Sequence, residues 1–375
     1  MQFLYALERH KEAYHEMARE KTGSHFEPDL NANETQDTIL LSATKKEAFK
    51  AFDESFNHSD GGLSQYPDEI SKAVEDGFLF YSNLVEQQKQ SGLKVLKGET
   101  ELVANSYARI LWLPVLWKEI IVADWNKAVN DGKRLGTGYR NLVSNPLVEA
   151  IENNERISSL YSKGNTEWDS EIVHEWYRKL VRKDEAFMSY SEKSKPVIED
   201  HIEMIDHLFK KVVFKNEVID AYMEENDLAW SENRGILKSM VIKTLKTFDP
   251  KTNTVQQINL SPNWEEDEQF YQNLYKKTIG NEDDLEKVIA EKSKNWDVDR
   301  IAAVDMIIMK MALTEFQDFP SIPIKVTINE YIEICKAYST PKSKQYVNGI
   351  LDVLSNQLKK DGAIKKSGRG LLDNK

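Results

Sequence analysis

The stretch that decides the fold is IPIKVTINEYIEICKAYSTPKSKQYVNGILDVL, residues 322–354. Apolar residues recur at helical spacing in both halves, which predicts two amphipathic helices over 327–338 and 343–358. Thr327 and Glu330 have the spacing of a capping box, in which each side chain satisfies a backbone N–H of the opening turn. The first helix is therefore expected to begin at Thr327.

A polar turn joins the two helices. Ser339-Thr340-Pro341 ends the first helix, because proline cannot donate a backbone N–H. Lys342–Gln345 follow at the start of the second helix, where exposed N–H groups suit a phosphate better than a metal or a nucleophile. Beyond them, Tyr346 could stack on a base and Asn348 could read a base edge, and a structural role explains both equally well. Gly349 is expected to let another helix approach closely.

The composition describes a soluble globular protein of 375 residues, 40% hydrophobic and 30% charged. The longest apolar run, 110–117, is far short of the roughly 20 residues that cross a bilayer. The first residues mix charges of both signs, so no secretory signal is visible. The single cysteine, Cys335, excludes an intramolecular disulfide and sits on an apolar helix face, which predicts a buried structural thiol. We expect a cytoplasmic protein.

The charge is unevenly distributed. A net charge of −12 argues against sequence-blind binding to duplex nucleic acid. Residues 341–375 nevertheless contain seven Lys, one Arg and three Asp. Two interpretations stay open: a solvated, partly disordered tail, or an electrostatic contribution to binding a single-stranded polyanion.

Helical spacing dominates the chain and no convincing alternating pattern appears, which predicts an all-α fold. Residues 22–69 and the glycine-rich 131–140 read as loops, and the latter lacks the spacing of a Walker loop. The helical pattern breaks near 250–264. The predicted organisation is a truncated first helix (1–21), a helical insertion or extra layer (22–249), a linker (250–263), a helical domain (264–358) and a basic, flexible tail (359–375).

The beginning of the chain is unusual. Met1–Leu7 is already apolar, helical sequence with no capping residue ahead of it. Because a helix start leaves four N–H groups unpaired, we expect the chain to begin partway into a helix whose first turns are missing.

A further apolar helix is predicted over 297–317, where Ile301, Val304, Ile308 and Met311 share one face. Neighbouring residues leave it apolar nearly all round, which predicts that it is the core helix of the C-terminal part. The next step of this pattern is Glu315. Its carboxylate should either reach solvent at the helix end or meet a basic group on a partner, because burial alone is costly.

The sequence gives catalysis and metal binding no specific support. Glu203 and His207 lie one turn apart, but no second helix offers the matching Glu-x-x-His of a di-metal bundle. A solvated charged face that also includes His201 and Asp206 is the preferred interpretation. No Ser/His/Asp arrangement can be picked out.

Residues 265–358 resemble the NusB family of transcription antitermination proteins. The matching pieces, in the family's order, are EDEQFYQNLYKKTIGNEDDLEKVIAE, NWDVDRIAAVDMIIMKMALTEF and the stretch quoted first. Most specific is K-V-x-I-N-E-x-I-E-x-x-K followed by V-N-G-x-L-D, and MQFLYAL at 1–7 resembles the middle of the family's first helix. Residues 22–249 would be an insertion, as in the family's longer members.

The resemblance implies an all-helical fold, no enzymatic activity, no cofactor, and binding of boxA-type single-stranded RNA. In the family this RNA is bound together with NusE, a small-subunit ribosomal protein, and the complex helps RNA polymerase read through terminators, notably in ribosomal RNA operons.

The resemblance also implies roles for particular residues. Glu315 matches the acidic residue on the side that faces the ribosomal-protein partner. The residues carried over to the RNA site are Tyr5, Lys342, Lys344, Gln345, Tyr346 and Asn348. Two departures are visible: the arginine-rich opening of the family's first helix is absent, and Lys342 stands where an acidic residue is common.

Two other functions compete. The chain could be a helical protein-interaction scaffold that has lost RNA binding along with those arginines. An enzyme related to the rRNA cytosine methyltransferases that carry a NusB-like domain is disfavoured, because the sequence has neither a glycine-rich nucleotide loop after a strand nor a catalytic cysteine motif.

Overall fold

A computed structural model describes residues 1–29, 31, 35–57, 62–132, 140–163, 168–292 and 301–374. Within these ranges the chain forms helices and no β-strand, so the predicted all-α class is confirmed. No helix in the described ranges is both long and apolar enough to span a bilayer. Most of the glycine-rich stretch, 133–139, and residues 295–300 of the NWDVDR motif lie outside the described residues.

The chain divides into two compact units, Met1–Leu96 with Glu268–Lys375, and Lys97–Asp267. The helices of the first unit are α1 (Gln2–Ser24), α2 (Thr38–Asn57), α3 (Asp68–Leu111), α13 (Trp264–Gly280), α14 (Glu282–Lys292), α15 (Ala303–Asp318), α16 (Ile324–Tyr338) and α17 (Ser343–Lys360), of which α3 and α13 continue across the unit boundary. The second unit contains α4 (Leu113–Asn130), α5 (Arg140–Val143), α6 (Pro146–Glu152), α7 (Glu155–Lys163), α8 (Ser170–Trp176), α9 (Glu185–Glu192), α10 (Ile198–His207), α11 (Glu217–Asn226) and α12 (Trp230–Lys246). The division into five segments made from the sequence stays a prediction.

Helix α15 is the centre of the first unit. Apart from its first and last turns, its side chains are buried on all sides, and α1, α14, α16 and α17 pack against it. This agrees with the prediction that the IAAVDMIIMKMALTEF helix forms the core. Leu4 of α1 belongs to the same apolar cluster as Ile308 and Leu351, so the first helix and the C-terminal helices share one core.

The prediction of a loop over 22–69 was wrong, because α2 lies within it. Asp37 caps this helix by accepting from the backbone N–H groups of Ile39 and Leu40, both at 3.0 Å. The buried face of α2 consists largely of Ala48, Ala51 and Phe52. Since alanine carries little hydrophobic signal, the helical period was hard to see.

Gly77 lets helix α3 pack closely on α1. A Cβ placed on Gly77 would lie 2.1 Å from Thr22 Oγ1 and 3.1 Å from the carbonyl oxygen of Ala18. Any larger residue would therefore push the two helices apart.

A partly buried ion-pair network holds α1 to α14 and α15. Lys11 Nζ lies 2.7 Å from Glu282 Oε2, and Lys310 Nζ lies 2.7 Å from Glu286 Oε2 and 3.5 Å from Glu282 Oε1. Burial works to raise the pKa of Glu282, but hydrogen bonds from Glu8 and Lys11 and the nearby lysine charges outweigh it and lower the pKa to about 2. Removing one member of this network leaves an uncompensated, partly buried charge, which destabilises the packing of α1, α14 and α15.

In the second unit, α9 and α10 are joined by a buried polar network. Tyr190 Oη donates to the carbonyl oxygen of Asn141 at 2.7 Å and lies 2.7 Å from His201 Nδ1. Asn145 Nδ2 donates to Tyr190 Oη at 3.2 Å. Because the single Tyr190 proton goes to Asn141, the hydrogen bond to His201 requires a proton on Nδ1.

The predicted solvated charged face is therefore wrong for His201, which is 8% exposed. His207, one and a half turns further on, instead lies 3.0 Å from both carboxylate oxygens of Asp184. The two histidines thus have separate partners.

The buried His201 predicts that acid destabilises the second unit. Burial lowers the pKa of His201, opposed only by the charge of Asp200. A lowered folded-state pKa means that the unfolded chain takes up the proton first. The stabilising contribution is thus complete above the unfolded-state pKa of about 6.5 and is lost as the pH falls below it.

Unfolding followed by tryptophan fluorescence tests this, because Trp112, Trp117, Trp125, Trp168, Trp176, Trp230 and Trp264 all lie in the second unit. His201→Asn keeps a donor near the Nδ1 position without titrating, and we expect it to flatten the loss of stability between about pH 7 and pH 5. His174→Asn, at an exposed position of α8, is the matched control. An equal flattening by both variants would refute the assignment.

Candidate nucleic-acid interface

The turn between α16 and α17 presents the predicted cations to solvent. α17 begins at Ser343, with Lys342 at the N-cap position. The turn is held internally by Thr340 Oγ1 and Ser343 Oγ, 2.8 Å apart, and by the Ser343 N–H, which donates to the carbonyl oxygen of Thr340. The side chains of Lys342, Lys344 and Gln345 are exposed. Cationic side chains thus surround a helix N-terminus, an arrangement that favours an anion.

A buried carboxylate fixes this turn to the core. Ser339 Oγ donates to Asp305 Oδ1 at 2.5 Å, and Asp305, in the first turn of α15, is only 4% exposed. Cys335 lies beside the same carboxylate, with Sγ 4.0 Å from Oδ1. Burial, and then the charge of Asp305, raise the pKa of Cys335 to about 11. Cys335 is fully buried, as the sequence predicted.

Sequence reasoning missed the contact between Asp305 and Ser339. A signal was present: Asp305 and Lys310 are the charged residues that interrupt the apolar run of α15 before Glu315. A charge inside such a run must find a partner when the helix is buried. The sequence cannot say which element brings that partner.

The predicted residues on α17 have different surroundings. Tyr346 is half-buried and packs against the core of the first unit, whereas Asn348 is exposed and donates to Asp352 Oδ2 at 3.2 Å. The explanation of Gly349 by close helix approach was wrong, since no atom of another element among the described residues lies within 4 Å of where its Cβ would be. Asn348 therefore faces solvent with its amide partly engaged within its own helix.

The start of α1 lies beside the end of α16. Gln2 Nε2 is 3.5 Å from Tyr338 Oη, a long hydrogen bond that joins residues 336 positions apart. One turn further along α1, Tyr5 is 38% exposed, and the Arg9 guanidinium lies over its ring at 5.5 Å. The fold thus brings the start of α1, one turn before Tyr5, to the end of α16 from which the cationic turn departs. Whether these residues bind RNA stays a prediction.

At the other end of α15, Glu315 is buried, at 5% exposure. The sequence predicted that this carboxylate reaches solvent or meets a basic group on a partner. Its hydrogen-bond partners are instead hydroxyl groups of α16. Thr327 Oγ1 donates to Oε1 at 2.6 Å and Tyr331 Oη donates to Oε2 at 3.2 Å. Burial raises the pKa of Glu315, and the two hydroxyls and the charge of Lys366 oppose the rise.

The predicted capping box at Thr327 was wrong. α16 begins one turn earlier, directly after Pro323, whose extended backbone precedes the first helical residue, Ile324. Thr327 therefore lies inside the helix, and its hydroxyl is committed to Glu315. Glu330 is exposed.

Thr327→Val should destabilise the first unit by about 1–3 kcal/mol, because it removes a donor from a buried carboxylate without changing the side-chain shape much. Urea unfolding of the variant measures the loss. In the Glu315→Gln background the same substitution should cost less, since no charge is left to satisfy. A loss of equal size in both backgrounds would mean that the Thr327–Glu315 contact does not carry the effect.

Sequence comparisons point to one family. The NusB family model matches residues 236–356. The transcription antitermination protein NusB of Salinibacter ruber is 39% identical over 103 residues, which cover 28% of this chain and 64% of that protein. Its counterpart from Chloroherpeton thalassium is 43% identical over 104 residues, covering 28% of this chain and 49% of the relative. That of Natranaerobius thermophilus is 39% identical over 92 residues, covering 24% and 66%.

Residues 236–356 form a NusB-family domain. The chain spans between about half and two thirds of the length of the curated relatives named here. No solved structure matches the chain at a significant level.

The NusB match begins in α12, upstream of residue 264, and includes α13 to α16 and most of α17. The cationic turn and Glu315 therefore both lie within the NusB-family domain. Tyr5 lies outside the matched residues, and its connection to the domain rests on the packing of α1 against α15.

Proposed function

We propose that this chain is a transcription antitermination factor that binds boxA-type single-stranded RNA together with NusE, the small-subunit ribosomal protein. In this proposal the complex joins RNA polymerase and promotes read-through of terminators, especially in ribosomal RNA operons. The family is one of non-enzymatic factors, and the proposal contains no catalytic step. The observation that carries the proposal is the exposed cationic turn at the start of α17, inside a NusB-family domain.

The RNA backbone would be held first at this turn. Lys342 and Lys344 supply the charges, Gln345 supplies a neutral hydrogen-bonding group, and the first N–H groups of α17 point toward the bound phosphate. Asp305 supports the site indirectly, because its bond to Ser339 fixes where the turn leaves α16. The turn would therefore be largely formed before RNA arrives.

The bases would be held by the neighbouring side chains. Tyr5 has an exposed ring, and each base stacked on an aromatic side chain contributes about 1–3 kcal/mol. Tyr346 is half-buried, so only part of its ring could meet a base. Asn348 can offer a donor and an acceptor to a base edge once its bond to Asp352 is exchanged.

The partner surface in this proposal is the end of α15 at Glu315. Because the carboxylate is buried, its role there is to position α16 through Thr327 and Tyr331. A basic partner would meet the carbonyl groups and negative dipole of the helix end first.

The first test is salt-dependent RNA binding. If Lys342 contacts a phosphate, Lys342→Met should weaken binding of a boxA-like RNA about fivefold near 0.1 M salt and lower the slope of log K against log salt by about 0.7. Lys360→Met makes the same charge change at the opposite end of α17 and is the matched control. Fluorescence anisotropy over a salt series measures both quantities. Equal slopes for the two variants would mean that Lys342 does not contact an RNA phosphate.

The second test is coupling between RNA and the ribosomal protein. We expect each ligand to tighten binding of the other by the same factor, on the order of 5- to 150-fold, because coupling free energies are reciprocal. Calorimetric titrations in both orders measure the two factors. The scaffold alternative would be favoured by a partner whose binding does not respond to RNA, persists in Lys342→Glu and disappears when residues 22–249 are deleted.

A further inference from the structure

The segment that follows α17 folds back onto the end of α15. Lys366 Nζ donates to the carbonyl oxygens of Phe319 at 2.9 Å and Glu315 at 3.3 Å. The Ser367 N–H donates to the carbonyl oxygen of Pro320 at 2.9 Å, and Ile364 packs against the apolar core of the first unit. The tail that the sequence predicts to be flexible thus has specific contacts, and its flexibility stays a prediction.

The segment also approaches the α15–α16 connection very closely. A Cβ placed on Gly370 would lie 2.0 Å from the carbonyl oxygen of Pro320. A short 3-10 helix, Gly368–Asn374, follows Ser367 and includes this glycine. The close fit of the main chain at Gly370 against Pro320 therefore adds to the contacts that Lys366 makes.

The end of α15 is built to receive an ammonium group. The last carbonyl groups of a helix carry the negative end of the helix dipole. The carbonyl oxygens of Glu315 and Phe319 each accept one backbone N–H, from Phe319 and Ile322, and each keeps a second lone pair for a further donor. Here the buried carboxylate of Glu315 adds a negative charge, and Lys366 interacts electrostatically with it. A lysine is one of the side chains that can satisfy such carbonyls.

This is the surface at which the proposed function places a basic partner. From the sequence, Glu315 was expected to meet a basic group on that partner; in the structure, the basic group at this helix end comes from the chain itself. Two ammonium groups cannot both donate to the same pair of carbonyl oxygens, because their like charges would repel at that distance. Lys366 and Arg369 would also repel a basic protein brought to the same place.

We propose that Ala363–Asn374, here called the C-terminal segment, is an intramolecular competitor for the end of α15, and that the basic ribosomal-protein partner displaces it by inserting a lysine in place of Lys366. The proposal rests on the proposed function, since it takes that partner as the displacing ligand. The apparent affinity for the partner is then the intrinsic affinity multiplied by the fraction of time for which the segment leaves the surface uncovered.

Binding of the ribosomal protein to the full chain tests the competition. Lys366→Met removes the competing ammonium group and should tighten partner binding about fivefold. Lys365→Met makes the same charge change at the exposed neighbouring position and should leave the affinity within about twofold of the wild type. Thermal unfolding of both variants shows whether the fold is retained, and a variant that had merely lost structure would bind more weakly.

Amide hydrogen exchange of the wild-type chain gives an independent readout. Displacement should accelerate exchange in the peptide that spans 363–374, where Ser367 and Gly370 donate backbone hydrogen bonds in the free chain. Slower exchange on adding the partner would mean that the segment is part of the interface and would overturn the proposal. Unchanged exchange with unchanged affinity of Lys366→Met would also overturn it, and a concentration-dependent dimer lost in Lys366→Met would assign the segment to a second copy instead.

Ligand binding and protection of the C-terminal segment can be measured separately. If the wild-type chain binds boxA-like RNA and the ribosomal protein, but the segment stays as protected as before, the competition is refuted and the proposed function stands. If neither ligand binds, the proposed function fails and the competition fails with it.

Discussion

The first unit depends on satisfying the polar groups of a helix that is buried on all sides. α15 carries three charged residues among its apolar ones, Asp305, Lys310 and Glu315, and each is about 95% buried. A charge in such a place is tolerated only when other groups are brought to it. This requirement explains the positions of five neighbouring elements: α1, α14, α16, the turn before α17 and the C-terminal segment.

Each charged residue fixes a different neighbour. Asp305 fixes the turn through Ser339, and Lys310 fixes α14 through Glu282 and Glu286, with Lys11 connecting α1 to the same group. Glu315 fixes α16 through Thr327 and Tyr331, and Lys366 is held by the carbonyl groups of the same helix end. Apolar packing alone would let these helices slide, whereas hydrogen bonds to buried charges select one arrangement.

How much of this was readable from the sequence depends on whether the deciding interaction is local. The all-α class, the turn over 339–342 and the start of α17 followed from helical spacing and one proline. The prediction of a capping box at Thr327 failed because the helix already begins after Pro323. The Thr327 hydroxyl donates instead to Glu315, twelve residues earlier in the sequence. Helix α2 was missed because its buried face is made of alanines, and the Asp305–Ser339 contact joins residues 34 positions apart.

The same constraint bears on how RNA and a partner could influence each other. Asp305 and Glu315 are ten residues apart, so the two proposed surfaces are separated by about 15 Å along the axis of α15. Coupling through the protein would require an element with two arrangements that both ligands bias. α15 is a poor candidate, because both of its ends are held by hydrogen bonds to buried carboxylates that any shift would break.

The C-terminal segment has two arrangements in the proposed competition, and it is the partner that biases them. Only part of it is buried, and the cation that holds it can be exchanged for another without exposing a buried charge. A rigid central helix with an exchangeable segment at one end would let a partner add its own RNA contacts to a turn that is already formed. The mutual tightening of RNA and partner would then come from contacts that the two ligands share, with no reshaping of the RNA site.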